Sequence, residues 1–392
     1  MRLVAEDILY IGTDDLDIDL FESQYPVPEG MSYNSYLIDD EKIAVLDTVD
    51  ARRGTEWLAN LEASLSGRTP DYLVVHHMEP DHSSMISAFL DKYPSATVLA
   101  SAKAIQMLGL FFPRKDFSGR TKAVAEGETV TLGKHSLCFI AAPMVHWPEV
   151  VTSFDTATGT LFSADAFGKF GALSKCGYFG EDEDDWACEA RRYYFNICGK
   201  YGVPVQALLK KISALDIRTI APLHGPVLRK DLGKYLGLYD IWSRYGAEKE
   251  GVLVAYASIH GCTAEAALAI GDMIRSRGVK VKMMDVSRME ASEAVEDAFS
   301  YGKVILAAST YDGGLFPPMA NFLHHLRDKA WQNRKVGLIE NGSWAPAAAR
   351  MMKELLATLK TTDVSEPVVT LRGRLKDSDR PALEALADAI LK

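Results

Sequence analysis

Tyr72-Leu73-Val74-Val75-His76-His77-Met78-Glu79-Pro80-Asp81-His82 joins four largely apolar residues to an abrupt run of polar ones. Tyr72–Val75 reads as a buried strand, because β-branched and aromatic residues fit a pleated surface and none of the four is charged. Beyond it, His77, Glu79, Asp81 and His82 fall within six residues, on a loop at the strand's carboxyl end that Pro80 stiffens. Four ligand-type side chains so placed converge on one point, as a bound metal requires. His76 points the opposite way if the strand continues, and is expected to support the ligands from behind.

Working outward, residues 32–49 read as a hairpin turning at Asp39-Asp40-Glu41-Lys42, with a helix at 51–66 behind it. Short strands recur at 97–100, 130–133, 137–142 and 160–164, and their irregular arrival between helices predicts two mixed sheets flanked by helices. Three more ligand-type residues lie just beyond apolar runs. His146 follows 137–142, Asp165 follows 160–164, and His224 follows Ile220–Leu223. His135 sits in a turn and His324 and His325 in a helix, where surface or packing roles are expected.

Near residue 250 the texture changes. Strand, turn and helix alternate through GVLVAYASIHGCTAEAALAIGDMIRSRG, and VKVKMMDVS, KVILAAST, KVGLIENGS and PVVTLRG follow at regular intervals. That cadence predicts a doubly wound parallel sheet. The polar stretch Arg244–Gly251 is the expected linker, giving domains 1–248 and 249–392. Ligands of such sheets bind beyond the carboxyl ends of the strands. Three loops fall there: Ser258-Ile259-His260-Gly261-Cys262-Thr263, Ser309-Thr310-Tyr311-Asp312-Gly313-Gly314 and Asn341-Gly342-Ser343-Trp344. The first leads into a helix whose N–H groups face a phosphate, and Tyr311 and Trp344 are candidates to stack on or edge a flat ring. Neither GxGxxG nor GxxxxGK[ST] is present, which disfavours NAD and ATP.

The metal set resembles that of the metallo-β-lactamase fold, HxHxDH with a later His, Asp and His, except that Glu79 replaces the second histidine. Imidazole suits zinc, whereas an added carboxylate suits harder, redox-active iron. HxExDH resembles the flavodiiron signature, and the first of the three later loops resembles the flavodoxin phosphate loop, with His260 and Cys262 as departures. The resemblance covers nearly the whole chain. It implies an N-terminal metallo-β-lactamase-like αββα sandwich followed by a flavodoxin-like doubly wound parallel sheet holding FMN. It further implies two non-haem irons, one taking His77, Glu79 and His146, the other Asp81, His82 and His224, with Asp165 bridging.

By the same resemblance the expected activity is reduction of O₂ to water or of NO to nitrous oxide. No rubredoxin-type cysteine knuckle follows the flavodoxin-like half, so a separate rubredoxin-like donor is expected. A head-to-tail homodimer, or a dimer of dimers, is implied. Some members carry a histidine in an N-terminal loop near the metals; the matching stretch Phe21–Tyr25 has none, which leaves O₂ against NO open. Trp147, Tyr193 and Tyr194 are candidate pocket walls. The competing expectation is a zinc hydrolase using a metal-activated water, with Glu79 as the discriminating residue.

Composition sets the outer limits. The 392 residues are 48% hydrophobic and carry a net charge of −10, with no basic cluster, which argues against nucleic acid. No apolar run reaches the ~18 residues of a membrane span, and MRLVAEDILYIG does not read as a signal peptide. Five cysteines without CxxC spacing argue against a disulfide or zinc framework and fit reduced thiols in a cytoplasm.

Overall fold

The computed structural model describes residues 2–182 and 185–392. Its contacts divide the chain into two compact units: residues up to Tyr194 with Val203–Asp240, and Phe195–Gly202 with Ile241–Lys392.

The first unit contains two main sheets. One runs Arg2–Ala5, Ile8–Tyr10, Tyr36–Ile38, Ala44–Leu46, Tyr72–Val75, Thr97–Ser101, Thr121–Val124, in that spatial order. The other runs Thr129–Thr131, Ser136–Ala141, Val151–Asp155, Thr160–Phe162, Thr219–Ala221. Both mix parallel and antiparallel pairs. Alternate residues share a core between the sheets: Tyr36, Ile38, Leu46, Val74 and Leu99 from the first, Leu137, Phe139, Val151 and Phe162 from the second. Period-two alternation is the reason, since each strand sends every other side chain to that face. This is the expected β-lactamase-like sandwich. Several strands escaped the sequence reading, among them Val151–Asp155, whose polar residues hide the alternation, and the hairpin Arg2–Tyr10, whose strands are only four and three residues long.

Tyr72–Val75 lies between Ala44–Leu46 and Thr97–Ser101 with parallel register on both sides. Being central, it is buried on both faces, which its uncharged sequence permits. Pro80 then occupies the first turn of a one-turn helix, Pro80–Ser83, where its missing N–H costs nothing. His82's carbonyl accepts from the Thr48 backbone N–H at 2.9 Å and the Thr48 hydroxyl at 2.7 Å, pinning the turn to the neighbouring strand's end.

The second unit is a parallel sheet in the order Val281–Asp285, Lys249–Ala257, Tyr301–Tyr311, Arg334–Asn341, the last pairing with Thr362–Val364 and Val369–Leu371. The order 2-1-3-4-5 is that of flavodoxin-like folds. Helices Cys262–Arg275 and Arg380–Leu391 bury Ala266, Ile270, Leu383 and Leu386 against one face. Among the described residues no helix is long and apolar enough to cross a membrane.

Candidate metal centre and flavin cavity

Seven side chains predicted from separate stretches of sequence come together in the first unit. His77, Glu79, His146 and Asp165 form one cluster and Asp81, His82 and His224 a second, with ligand atoms inside each lying within 4.8 Å of one another. All four imidazoles turn Nε2 inward. Glu79 Oε2 lies 3.2 Å from His77 Nε2 and 3.1 Å from His146 Nε2. Asp81 Oδ2 lies 3.3 Å from His82 Nε2 and 3.2 Å from His224 Nε2. Asp165 serves both sides: Oδ2 is 3.2 Å from His77 and from His146, while Oδ1 is 3.4 Å from His82 and 3.7 Å from His224.

The electrostatics are those of a cage built for positive charge. Burial alone would push the His77 imidazole down, yet Asp165, Glu149 and Glu79 hold it well above the usual range. His146 is likewise pushed up to about 9, burial being outweighed by Asp165 and Glu79. Burial would raise the Asp165 carboxyl, but His77, His146 and His82 hold it well below the ordinary carboxylate range. Both carboxylate oxygens of Asp81 and of Asp165 are buried without a hydrogen-bond donor. Orphaned buried carboxylates are costly unless a cation meets them. Four imidazoles and three carboxylates in two groups sharing Asp165 therefore fit a pair of metal ions, and the mixed imidazole–carboxylate set fits iron.

The histidines are held from behind. His77 Nδ1 donates to Glu149 Oε1 at 2.7 Å, and the same oxygen accepts the Met78 N–H at 2.9 Å. His224 Nδ1 donates to the Ser32 carbonyl at 2.7 Å. His76, one residue past the strand's end, faces away from the cluster, donating from Nδ1 to Asp47 at 2.5 Å and accepting on Nε2 from Ser153 at 2.8 Å. Aromatic rings close the walls: Trp147 sits edge-on to His77 with centroids 5.1 Å apart, and Phe21 and Tyr193 lie 5.4 and 5.6 Å from His224. Tyr194 packs against Tyr239. His135 is buried beside Asp155 rather than near the cluster. Glu149 and Phe21 were not singled out from sequence as individual residues. A buried glutamate three residues after a ligand is the signal for the former, and it is a weak one.

In the second unit a cavity of about 460 Å³ opens at the carboxyl ends of the parallel strands. It is lined by Ser258, Ile259, His260, Cys262, Thr263, Ser309, Thr310, Tyr311, Asp312, Gly313, Asn341, Gly342, Ser343 and Trp344, from all three predicted loops, and by Ala345 and Gly373. Gly261 and Gly314 belong to the same loops but do not line it. Gly261 adopts a φ of +88° immediately before the helix Cys262–Arg275, a turn that favours glycine. Its N–H donates to Ser258 Oγ at 3.1 Å, while the Thr263 and Ser309 hydroxyls meet at 2.8 Å and tie the first loop to the second. Thr310 Oγ1 accepts from Ala347 and Ala348 N–H at the start of the helix Ala348–Leu356 and so caps it. Gly373 comes from the turn after the last strand, fixed by a reciprocal pair of bonds with Asn341. The cavity offers hydroxyls, a helix N-terminus and two aromatic rings, which fits a phosphorylated flat ring such as FMN. A larger cleft of about 690 Å³ lies beside Tyr10 and Arg53, where Arg53 is paired with Asp15 and Asp17, and Asp14 with the Leu173 and Ser174 N–H groups.

Known proteins share the two domains in this order. A model described as ODP family beta lactamase matches residues 31–225, and one described as flavodoxin domain matches residues 253–376. A protein named nitric oxide reductase from Moorella thermoacetica is 31% identical over 378 residues, which is 94% of this chain and 92% of that one. The anaerobic nitric oxide reductase flavorubredoxin of Vibrio vulnificus is 27% identical across 87% of this chain and 70% of its own length. The flavodiiron protein of Giardia intestinalis superposes with a TM-score of 0.90 at 25% identity, over 98% of this chain and 94% of that one. Fold alone is shared with the rubredoxin oxygen:oxidoreductase of Desulfovibrio gigas, at a TM-score of 0.92 and 24% identity over 99% and 97% of the two chains. Two domains in this order, together with a relative at that identity along nearly its full length, make the chain an oxidoreductase and a member of the flavodiiron protein family.

Proposed function

We propose that the chain reduces a small oxidant, O₂ to water or NO to nitrous oxide, at a diiron site, with electrons passing through FMN. A separate rubredoxin-like protein supplies the electrons. The domains act as 1–248 for metal and 249–392 for flavin, and the working unit is a head-to-tail homodimer or a dimer of such dimers, as the family resemblance implies. The observation that carries the reading is Glu79, whose carboxylate stands between His77 and His146 where a zinc hydrolase of this fold would have a third imidazole.

Two irons would be held by His77, Glu79 and His146 and by Asp81, His82 and His224, with one oxygen of Asp165 toward each group. Iron would supply redox-active Lewis acidity there, and FMN a store of reducing electrons in the other cavity. The chain's own part is positional. Glu149 and the Ser32 carbonyl take the Nδ1 protons of His77 and His224, so both rings present Nε2 to the cage. Trp147, Phe21 and Tyr193 crowd the histidine rings with apolar surface and limit water. In the second unit's cavity the helix N-terminus after Gly261 would take the phosphate of FMN, and Tyr311 and Trp344 would hold its ring.

Metal and flavin content of the purified protein test this directly, together with oxidant consumption under a reduced rubredoxin or chemical donor. About two irons and one FMN per chain with turnover are expected. A colourless protein holding zinc after growth in iron-replete medium would return the hydrolase reading.

A further inference from the structure

The two halves of the metal centre are matched in the groups that face inward. Each has two imidazoles and one carboxylate of its own, and each receives one oxygen of Asp165. They differ in what stands behind the imidazoles. His77 Nδ1 donates to Glu149, a carboxylate only 1% exposed. His224 Nδ1 donates to a neutral backbone carbonyl, and the buried His82 Nδ1 has no hydrogen-bond partner. The Met78 N–H fixes Glu149 Oε1 in place, while Oε2 is buried with no donor to disperse its charge.

A carboxylate behind a ligating imidazole makes that imidazole a stronger donor than a carbonyl does, because the shared proton sits closer to the acceptor. At an effective dielectric near 20 the added negative charge is felt by an ion one ring away. We propose that Glu149 is a positioning residue that makes the two metal positions unequal. It favours the higher oxidation state on the His77 side, so that the first electron entering a diferric centre falls on the His82–His224 side. The inference rests on the diiron reading above.

The test is a redox titration of the full-length, iron-loaded protein, with the one-electron-reduced form followed by electron paramagnetic resonance. Wild type should show two resolved midpoints. Glu149→Gln keeps the shape and an acceptor oxygen but removes the charge. It should lower the comproportionation constant about tenfold, or about 59 mV for one electron. Glu149→Asp keeps the charge but moves it away from Nδ1, and should narrow the separation partway. A purely structural role would lower iron content or melting temperature without moving the separation at matched iron content. An unchanged separation in iron-loaded Glu149→Gln overturns the proposal, as do coincident midpoints in wild type. Should Glu149→Gln fail to hold iron, an unchanged separation in Glu149→Asp overturns it instead. Wild-type protein that binds zinc in place of iron defeats the diiron reading as well, and metal content tells that failure apart.

Discussion

The cluster proposed to hold metal and the cavity proposed to hold FMN are built in opposite ways. His77, His82, Asp165 and His224 are at most 1% exposed and set charge against charge. In the flavin cavity Trp344 is 82% exposed and Tyr311 45%, and hydroxyls and backbone line most of the rest. A buried array of charges is satisfied only by its full complement, so losing one member leaves the others uncompensated. An open shelf of small contacts loses little when one is removed. The comparison predicts steep effects in the first unit and shallow ones in the second.

The largest effect is expected at Asp165, which touches both clusters. Asp165→Asn preserves shape but removes the charge that four imidazoles share. Iron content should fall below one per chain, and oxidant consumption should drop by about 100-fold or more, since even residues behind the ligands cost 10–100-fold. Elemental analysis beside donor-coupled turnover measures both. Full iron with wild-type turnover would break the comparison at its strongest point.

Next comes Glu79→His, which rebuilds the HxHxDH motif without touching the other six residues. One negative charge is lost between His77 and His146, and the softer ligand shifts preference toward zinc. Oxidant reduction should fall by roughly tenfold or more, while FMN stays bound because its loops lie in the other unit. Metal ratio and flavin absorbance from one preparation decide it. Unchanged iron content and turnover would show that Glu79 does not hold metal.

How much of this could be read beforehand follows from the same contrast. Each predicted ligand follows an apolar run, and a strand's end is visible in sequence, so the seven residues that converge were recognisable. Glu149 was not, because its place beside His77 depends on the return of strand Val151–Asp155, where the Val151 N–H reaches the His76 carbonyl at 3.1 Å. No local pattern in Trp147-Pro148-Glu149-Val150-Val151 announces that pairing. The three flavin loops were legible from the strand cadence, but Gly373 enters through a turn after the final strand, and Thr310 proved to cap a helix. The grouping of Phe195–Gly202 with the second unit is likewise tertiary. It rests on contacts such as Phe195 stacked on Phe299 at 4.1 Å, far apart in sequence.

In the flavin cavity Trp344→Ala removes the most exposed aromatic. A stacked or edge-on ring contributes on the order of 0.5–1.5 kcal/mol beyond area, so the FMN dissociation constant should rise by up to about tenfold with iron untouched. Quenching of FMN fluorescence on titration into the flavin-depleted protein reads this directly. A loss of several hundredfold would mean that the ring is buried by bound flavin, and that the shelf is less open than its side-chain exposure implies.

The smallest effect is expected at His260, and it sharpens the comparison most. His260 is exposed and lines the cavity without Lys or Arg beside it, while Asp312 is the carboxylate in the same lining. An imidazolium there would attract a phosphate, yet an exposed pair works through water and is screened by salt. His260→Gln should therefore weaken FMN by at most about fivefold at low ionic strength, the range of exposed ion pairs. The difference should vanish in molar salt, where charges are screened within about 3 Å. Riboflavin, which lacks the phosphate, should bind both proteins alike. An imidazole in the cage has no such route to solvent: His77 is pressed between Glu149, Glu79 and Asp165. A salt-resistant, hundredfold loss at His260 would therefore show that bound FMN buries the imidazole as the cage buries its histidines.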